Sequence, residues 1–156
     1  IDGNPIYEDK NYFKKIGFVM QYAEDSFFCD TVFDEIAFAS KNFGFVDIED
    51  RVMNAIKLTG IDEELLYKSP FELSSGEARR VAIASAIAHE PFFLILDEPF
   101  VGLDKRGKDC LTSILKKWKD AQRAVIIVSH QGKYLTNLAD KIFKLEAGKL
   151  LNADSL

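Results

Sequence analysis

Two short uncharged runs, FFLIL at 92–96 and AVIIV at 124–128, limit the possible folds of this chain more than any other feature. Each is apolar throughout and of strand length, the pattern of a strand buried on both faces. Between them, Asp104 to Asp120 sets Leu111, Ile114, Leu115 and Trp118 at helical spacing, which reads as an amphipathic helix. Strand, helix and strand in that order form a βαβ unit. The expected fold class is therefore α/β, a parallel sheet covered by helices.

Upstream, IGFVM at 16–20 has strand character and ends at Gln21. From Asp30 to His89 the pattern is almost entirely helical. Asp30 is the expected N-cap of a first helix that stops at Gly44, and Asp47 of a second that stops at Gly60. A short helix is expected over Asp62 to Tyr67, with Ser69-Pro70 as a breaker. Past AVIIV, Gln131 to Leu138 reads as a further helix, and Lys141 to Leu145 with Lys149 to Leu151 as a hairpin around Ala147-Gly148.

The remaining composition narrows the partners. The 156 residues carry a formal charge of −5, which argues against broad binding to nucleic acid or to an anionic membrane surface. Cys29 and Cys110 lack metal spacing and fit reduced, packed thiols. Apolar runs stay short; VAIASAIA meets His89, Glu90 and Pro91 at once. His89, at the end of a helical pattern, is expected to be exposed or held by the helix dipole, and Trp118 to be core or interface. Ile1 to Ile6 reads like the end of a strand running into a turn, so a preceding portion is expected.

Both central strands carry their polar residues at the carboxyl end: Asp97-Glu98 after FFLIL, and Ser129-His130 after AVIIV. Open α/β sheets bind ligands at that rim. A carboxylate closing an apolar strand suits Mg²⁺, which takes few carboxylates and keeps water and phosphate oxygens. A second carboxylate beside it can orient or deprotonate an attacking water, and a histidine opposite can meet phosphoryl charge. A second anion-binding feature is FELSSGEARR at 71–80, where Ser74, Ser75 and Gly76 open a helical pattern. Its local alternative is a capping box, with Ser74 as the cap and Glu77 reaching back. The phosphate loop G-x-x-x-x-G-K-[ST] does not occur in this sequence.

Taken in order, LSSGE, FLILDEP, VGLD and VSH resemble the ATPase domain of ABC-type transporters. Leu73 to Glu77 match the signature motif, Phe93 to Asp97 the Walker B strand with Glu98 after it, and Val101 to Asp104 the D-loop. His130 matches the switch histidine and Gln21 the Q-loop glutamine. The resemblance implies a partial P-loop NTPase fold with an inserted helical subdomain. Residues 1–156 would form an incomplete ABC ATPase domain, with about 28–90 the helical signature subdomain and 91–156 the C-terminal part of the catalytic core. It implies ATP and Mg²⁺ as cofactors. Glu98 would be the general base and His130 the γ-phosphate contact. Asp97 and Gln21 would serve the metal, and Gln21, Ser74, Ser75, Gly76, Glu77 and Asp104 the nucleotide. Ser75 and Glu77 stand where the family has a second glycine and a glutamine.

A narrower resemblance, carried by Gln21, Glu24, Phe28, Thr31-Val32, Asp34-Glu35 and Ala37-Phe38, is to ATPases of energy-coupling-factor importers, which take up vitamins and metal ions. Ala23 and Ser26 depart from that pattern. The implied partners are a second ATPase subunit in a head-to-tail dimer, an integral membrane subunit and an N-terminal Walker A segment. Nucleic acid is not among them. The implied location is cytoplasmic, peripheral on the inner face of the membrane. The isolated chain is expected to be inactive and to leave apolar sheet surface uncovered. The alternatives are an ATPase of another ABC class, including a DNA-repair-type head, and a non-hydrolysing docking or dimerisation fragment.

Overall fold

A computed structural model describes residues 11–119 and 123–152. The expectation for Ile1 to Ile6 lies outside the described residues. Three strands, β1 (Ile16–Val19), β2 (Phe93–Asp97) and β3 (Ala124–Val128), form a parallel sheet in the order β1-β2-β3. The register sets Phe18 beside Ile95 and Ile95 beside Ile126, and one step on aligns Val19 with Leu96 and Leu96 with Ile127. Strand side chains alternate between faces, so the two rows belong to opposite faces. Leu94, Leu96 and Val19 are buried, while Phe18, Ile126 and Val128 are 54%, 50% and 56% exposed. The two apolar runs are thus strands, as expected, but among the described residues helices cover only one of their faces.

The link from β1 to β2 is helical. In α1 (Val32–Asn42) the cap is Thr31 rather than the expected Asp30: its Oγ1 accepts from Asp34 N at 3.1 Å and donates to Asp34 Oδ2 at 2.7 Å. Asp47 does precede α2 (Ile48–Thr59), yet its carboxylate takes Arg51 Nε at 2.8 Å instead of capping. Gly60, at φ 68°, ends that helix in the left-handed region that glycine enters without penalty. The segment over Asp62 to Tyr67 is only a 3-10 turn, Glu63–Leu65.

The next helix, α3 (Ser75–Ile87), packs against α1, α2 and β1 and is buried around most of its girth. Its alanines let β1 approach closely. A Cβ built on Gly17 would lie 2.2 Å from the Ala86 carbonyl oxygen, so only glycine fits there. His89, just past α3, is neither exposed nor held by the helix dipole alone. It is 5% exposed, with Nε2 3.1 Å from the Ile16 carbonyl and its ring edge-on to Phe43.

From β2 the chain passes through α4 (Lys105–Lys119), whose buried side chains include Leu111, Ile114, Leu115 and Trp118. Trp118 is therefore core, with the Arg123 guanidinium over its ring. After β3, α5 spans only Gly132–Leu135, shorter than the expected helix. The hairpin β4 (Phe143–Glu146) and β5 (Lys149–Asn152) is present, turning through Ala147 at φ 48° and Gly148 at φ 76°. Cys29 and Cys110 are free thiols, and burial, then the Glu35 carboxylate, pushes Cys29 up to about 11.

Candidate functional site

The three parallel strands end on a common rim. Val19 is level with Leu96, so Met20 and Gln21 follow β1 where Asp97 and Glu98 end β2. Asp97 is level with Val128, so Ser129 and His130 follow β3 at the same edge. By strand alternation Asp97 belongs to the row of Phe93 and Ile95, on the face the helices leave bare. No hydrogen bond or ion pair among the described residues engages its carboxylate.

Glu98 leaves the strand at φ 44°, a left-handed conformation unusual for a residue with a Cβ, while its N–H still donates to the Val128 carbonyl at 2.8 Å. That turn aims its carboxylate across the rim at the end of β3. Oε1 accepts from His130 N at 2.8 Å and lies 2.7 Å from His130 Nδ1. Oε2 accepts from Ser129 Oγ at 3.1 Å. Burial pushes the carboxyl up, but the hydrogen bonds from His130 and Ser129 outweigh it and hold Glu98 below the usual range. Glu98 is therefore an ionised, oriented acceptor. With Nδ1–H given to Glu98, Nε2 of a neutral ring is an acceptor; only the doubly protonated ring also donates outward, toward an anion. Ser129 is a functional contact that residue type alone does not reveal; its place beside His130 is the signal in the sequence.

The helix start at 74–77 forms the capping box. Ser74 N–H donates to Glu77 Oε2 at 2.9 Å, and Glu77 N–H donates to Ser74 Oγ at 3.4 Å. The contacts from the Ser74 hydroxyl and N–H hold the Glu77 carboxyl low. Two donors are consumed in this way. Among the described residues no hydrogen bond engages the Ser75 and Gly76 N–H groups or the Ser75 hydroxyl, which lie exposed or half-exposed at the positive end of α3. Arg80 Nη1 lies 4.0 Å from where a Cβ on Gly76 would sit, which adds a cation beside that turn.

Gln21 and Asp104 differ in their freedom. The Gln21 side-chain amide has no hydrogen bond among the described residues, whereas its backbone carbonyl accepts from Arg79 Nη2 at 2.7 Å. Asp104 Oδ1 accepts from Gly107 N at 2.7 Å and so closes the start of α4, a capping role the sequence reading did not include. The structure thus joins Glu98 to His130 directly, sets Asp97 and Gln21 on the same rim, and leaves Ser74 to Glu77 outside hydrogen-bond contact with them.

The donor set fits a magnesium nucleotide. Among the described residues there is no group of three or more His, Cys, Asp or Glu able to hold a metal. A closed transition-metal site is therefore not formed there, while one free strand-end carboxylate with an amide nearby suits a cation that completes its shell with water and phosphate.

A parallel sheet with this rim, joined to a helix whose start still offers free N–H groups, defines a phosphate-handling α/β domain. The ABC transporter family model matches residues 1–101, and the chain belongs to that family as part of its ATPase domain. An energy-coupling factor transporter ATP-binding protein EcfA2 from Thermotoga maritima is 48% identical over 142 residues, 87% of this chain and 52% of the relative. The protein of that name from Caldanaerobacter subterraneus is 43% identical over 144 residues, 90% of this chain and 50% of the relative. Among solved structures, cbiO1 from Clostridium perfringens, described as part of the ABC transporter complex cbiONQ, matches with a TM-score of 0.79 at 34% identity. That match covers 88% of this chain and 56% of the other. The chain spans about half the length of the curated relatives it matches.

Proposed function

We propose that this chain is the C-terminal part of an ATP-binding subunit that hydrolyses ATP in a head-to-tail dimer to drive membrane transport. The import of a vitamin or metal ion by an energy-coupling-factor system is the form of transport proposed. The observation that carries the reading is the Glu98 carboxylate, held by His130 and Ser129 one residue beyond the free Asp97 carboxylate. Support for the importer class comes from the relatives' names and from the residue pattern between Gln21 and Phe38. The proposed division is a helical subdomain over about 28–90 and a C-terminal core part over 91–156.

In this reading Asp97 and Gln21 hold Mg²⁺, which when bound supplies charge neutralisation to the phosphates. Glu98 orients and deprotonates the attacking water, and His130 fixes the Glu98 carboxylate while its outer nitrogen meets the γ-phosphate. Ser75, Gly76 and the capped turn of Ser74 and Glu77 grip the γ-phosphate of the nucleotide bound by the opposite subunit, with Asp104 linking the two sites. The uncovered sheet face, with Phe18, Ile126 and Val128, suits a complementary segment carrying the phosphate loop. The proposed location is the inner face of the membrane, beside an integral subunit; among the described residues no helix is long and apolar enough to cross it.

The test is Glu98→Gln in the assembled ATPase. Nucleotide affinity is expected to change by less than about threefold, while turnover falls on the order of 10²-fold or more. Turnover within about threefold of the parent would remove Glu98 as general base. No turnover in the parent assembly would favour a docking or dimerisation fragment that does not hydrolyse ATP.

A further inference from the structure

Arg79 is a charged side chain in an unusual place. It lies on α3, two residues past Glu77, and is only 5% exposed. A buried guanidinium is costly unless its donors are matched. Here Nη1 donates to the Met20 carbonyl at 3.3 Å and Nη2 to the Gln21 carbonyl at 2.7 Å. These are consecutive peptide groups, one of them belonging to the residue whose side chain the proposed function assigns to metal and water. The planar fork fixes both carbonyls relative to the helix, a geometry one ammonium group does not reproduce.

We propose that Arg79 is a positioning residue that ties the phosphate-gripping end of α3 to the Gln21 turn, so that movement at Ser74 to Glu77 resets Gln21. The inference rests on the ATPase reading for its purpose, but the tie is defined by geometry alone. The transmitting path is short and physical: one helix turn from the Ser75 and Gly76 amides to Arg79, then two hydrogen bonds to the backbone that carries Gln21. The tie joins elements 58 residues apart in sequence, and links a contact made to one nucleotide with a group serving the other.

The chain's two methionines provide the probe: Met20 carries one of the tied carbonyls, and Met53 sits on α2. In the full protein carrying this chain, methionine methyls are labelled with carbon-13 and assigned with Met20→Leu and Met53→Leu. Arg79→Lys is expected to shift the Met20 resonance without nucleotide and to leave Met53 in place. Adding a non-hydrolysable ATP analogue with Mg²⁺ should move Met20 in the parent and not in the variant. In turnover, Arg79→Lys and Gln21→Ala should each lower kcat on the order of tenfold with KM changed less than about twofold. Their combination should be no slower than Gln21→Ala alone.

An unmoved Met20 in Arg79→Lys, equal shifts at Met53, or losses that multiply in the double variant would overturn the proposal. Should Arg79→Lys not fold, Arg79→Gln applies the same criteria with a neutral side chain that cannot donate to both carbonyls from two nitrogens. A parent protein without any nucleotide response would sink the ATPase reading and the transmission with it. The nucleotide-free Met20 shift would still decide whether Arg79 holds the turn.

Discussion

His89 shows how far a single residue can be from what its local sequence implies. At the end of a helical pattern it reads as exposed or held by the helix dipole, but β1 and α1 enclose it, and both come from more than forty residues away. Burial, the largest influence, lowers its pKa below the ordinary 6.5; the Ile16 carbonyl raises it in part, and the Arg51 guanidinium lowers it again. The Phe43 ring and Nδ1, buried and without a hydrogen-bond partner among the described residues, give the added proton nothing to bind. The unfolded state therefore binds more protons than the folded one between the lowered folded pKa and 6.5. The stability that His89 contributes is complete above 6.5 and is lost as pH falls through that window. Thermal melts of the full protein should show a falling midpoint as pH drops below 6.5, and His89→Gln should remove that slope. Asp34, Asp47, Glu77 and Glu98, all held low, act in a more acidic range. A parent midpoint flat through the window would exclude a neutral buried His89. Other residues were legible in advance. Asp97, Glu98 and His130 share the rim because each follows an apolar strand, and that order is written in the chain. The Asp104 cap and the Ser129 contact were not legible, since short polar side chains at loop starts have many possible partners.

At the scale of elements, the outcome divides by the kind of signal. The strands and long helices emerged within about two residues of their expected bounds, because periodicity and strand-length apolar runs are set by local sequence. The cap of α1 moved from Asp30 to Thr31, where Thr31 and Asp34 exchange hydrogen bonds. Asp47 was drawn from its cap by Arg51, itself held between Glu90 and the Phe45 ring. Both are competitions that spacing cannot rank. β1 approaches α3 closely at Gly17, where an added Cβ would meet the Ala86 carbonyl at 2.2 Å and Pro91 Cγ at 3.0 Å. The obstacle is helix backbone, which cannot swing aside as a flexible side chain can. Gly17→Ala should therefore destabilise the fold by roughly 1–3 kcal/mol, the usual range for overpacking a closed contact. Denaturant unfolding of the full protein measures it, with Gly44→Ala as a comparison at a surface turn where strain is confined to a positive φ. An unchanged midpoint for Gly17→Ala would mean β1 does not seat on α3 this closely.

Across the described residues the molecule is a sheet covered on one side. Uncharged strands such as FFLIL and AVIIV are suited to cover on both faces, yet here α3 and α4 lie over only one. The sequence could not reveal this. A strand's composition records the environment it is adapted to, not which neighbours are present. Phe18, Ile126 and Val128 face solvent on the bare side, and the hairpin adds exposed Phe143, Leu145 and Leu150. Leaving each such side chain partly in water forfeits a share of the roughly 1.5–3 kcal/mol that full burial gives, a drive toward any complementary apolar surface. The chain on its own is therefore expected to elute in gel filtration as an oligomer or aggregate, and co-expression with the phosphate-loop segment of the proposed function should convert it to a defined species. Phe18→Lys with Ile126→Lys separates these two behaviours. The pair should reduce self-association while leaving the helical circular dichroism intact, and should also abolish recovery of the co-expressed segment. A parent chain that elutes as a monomer with a cooperative melt would mean the bare face needs no cover, and capture of the segment by the lysine variant would place its binding elsewhere on the molecule.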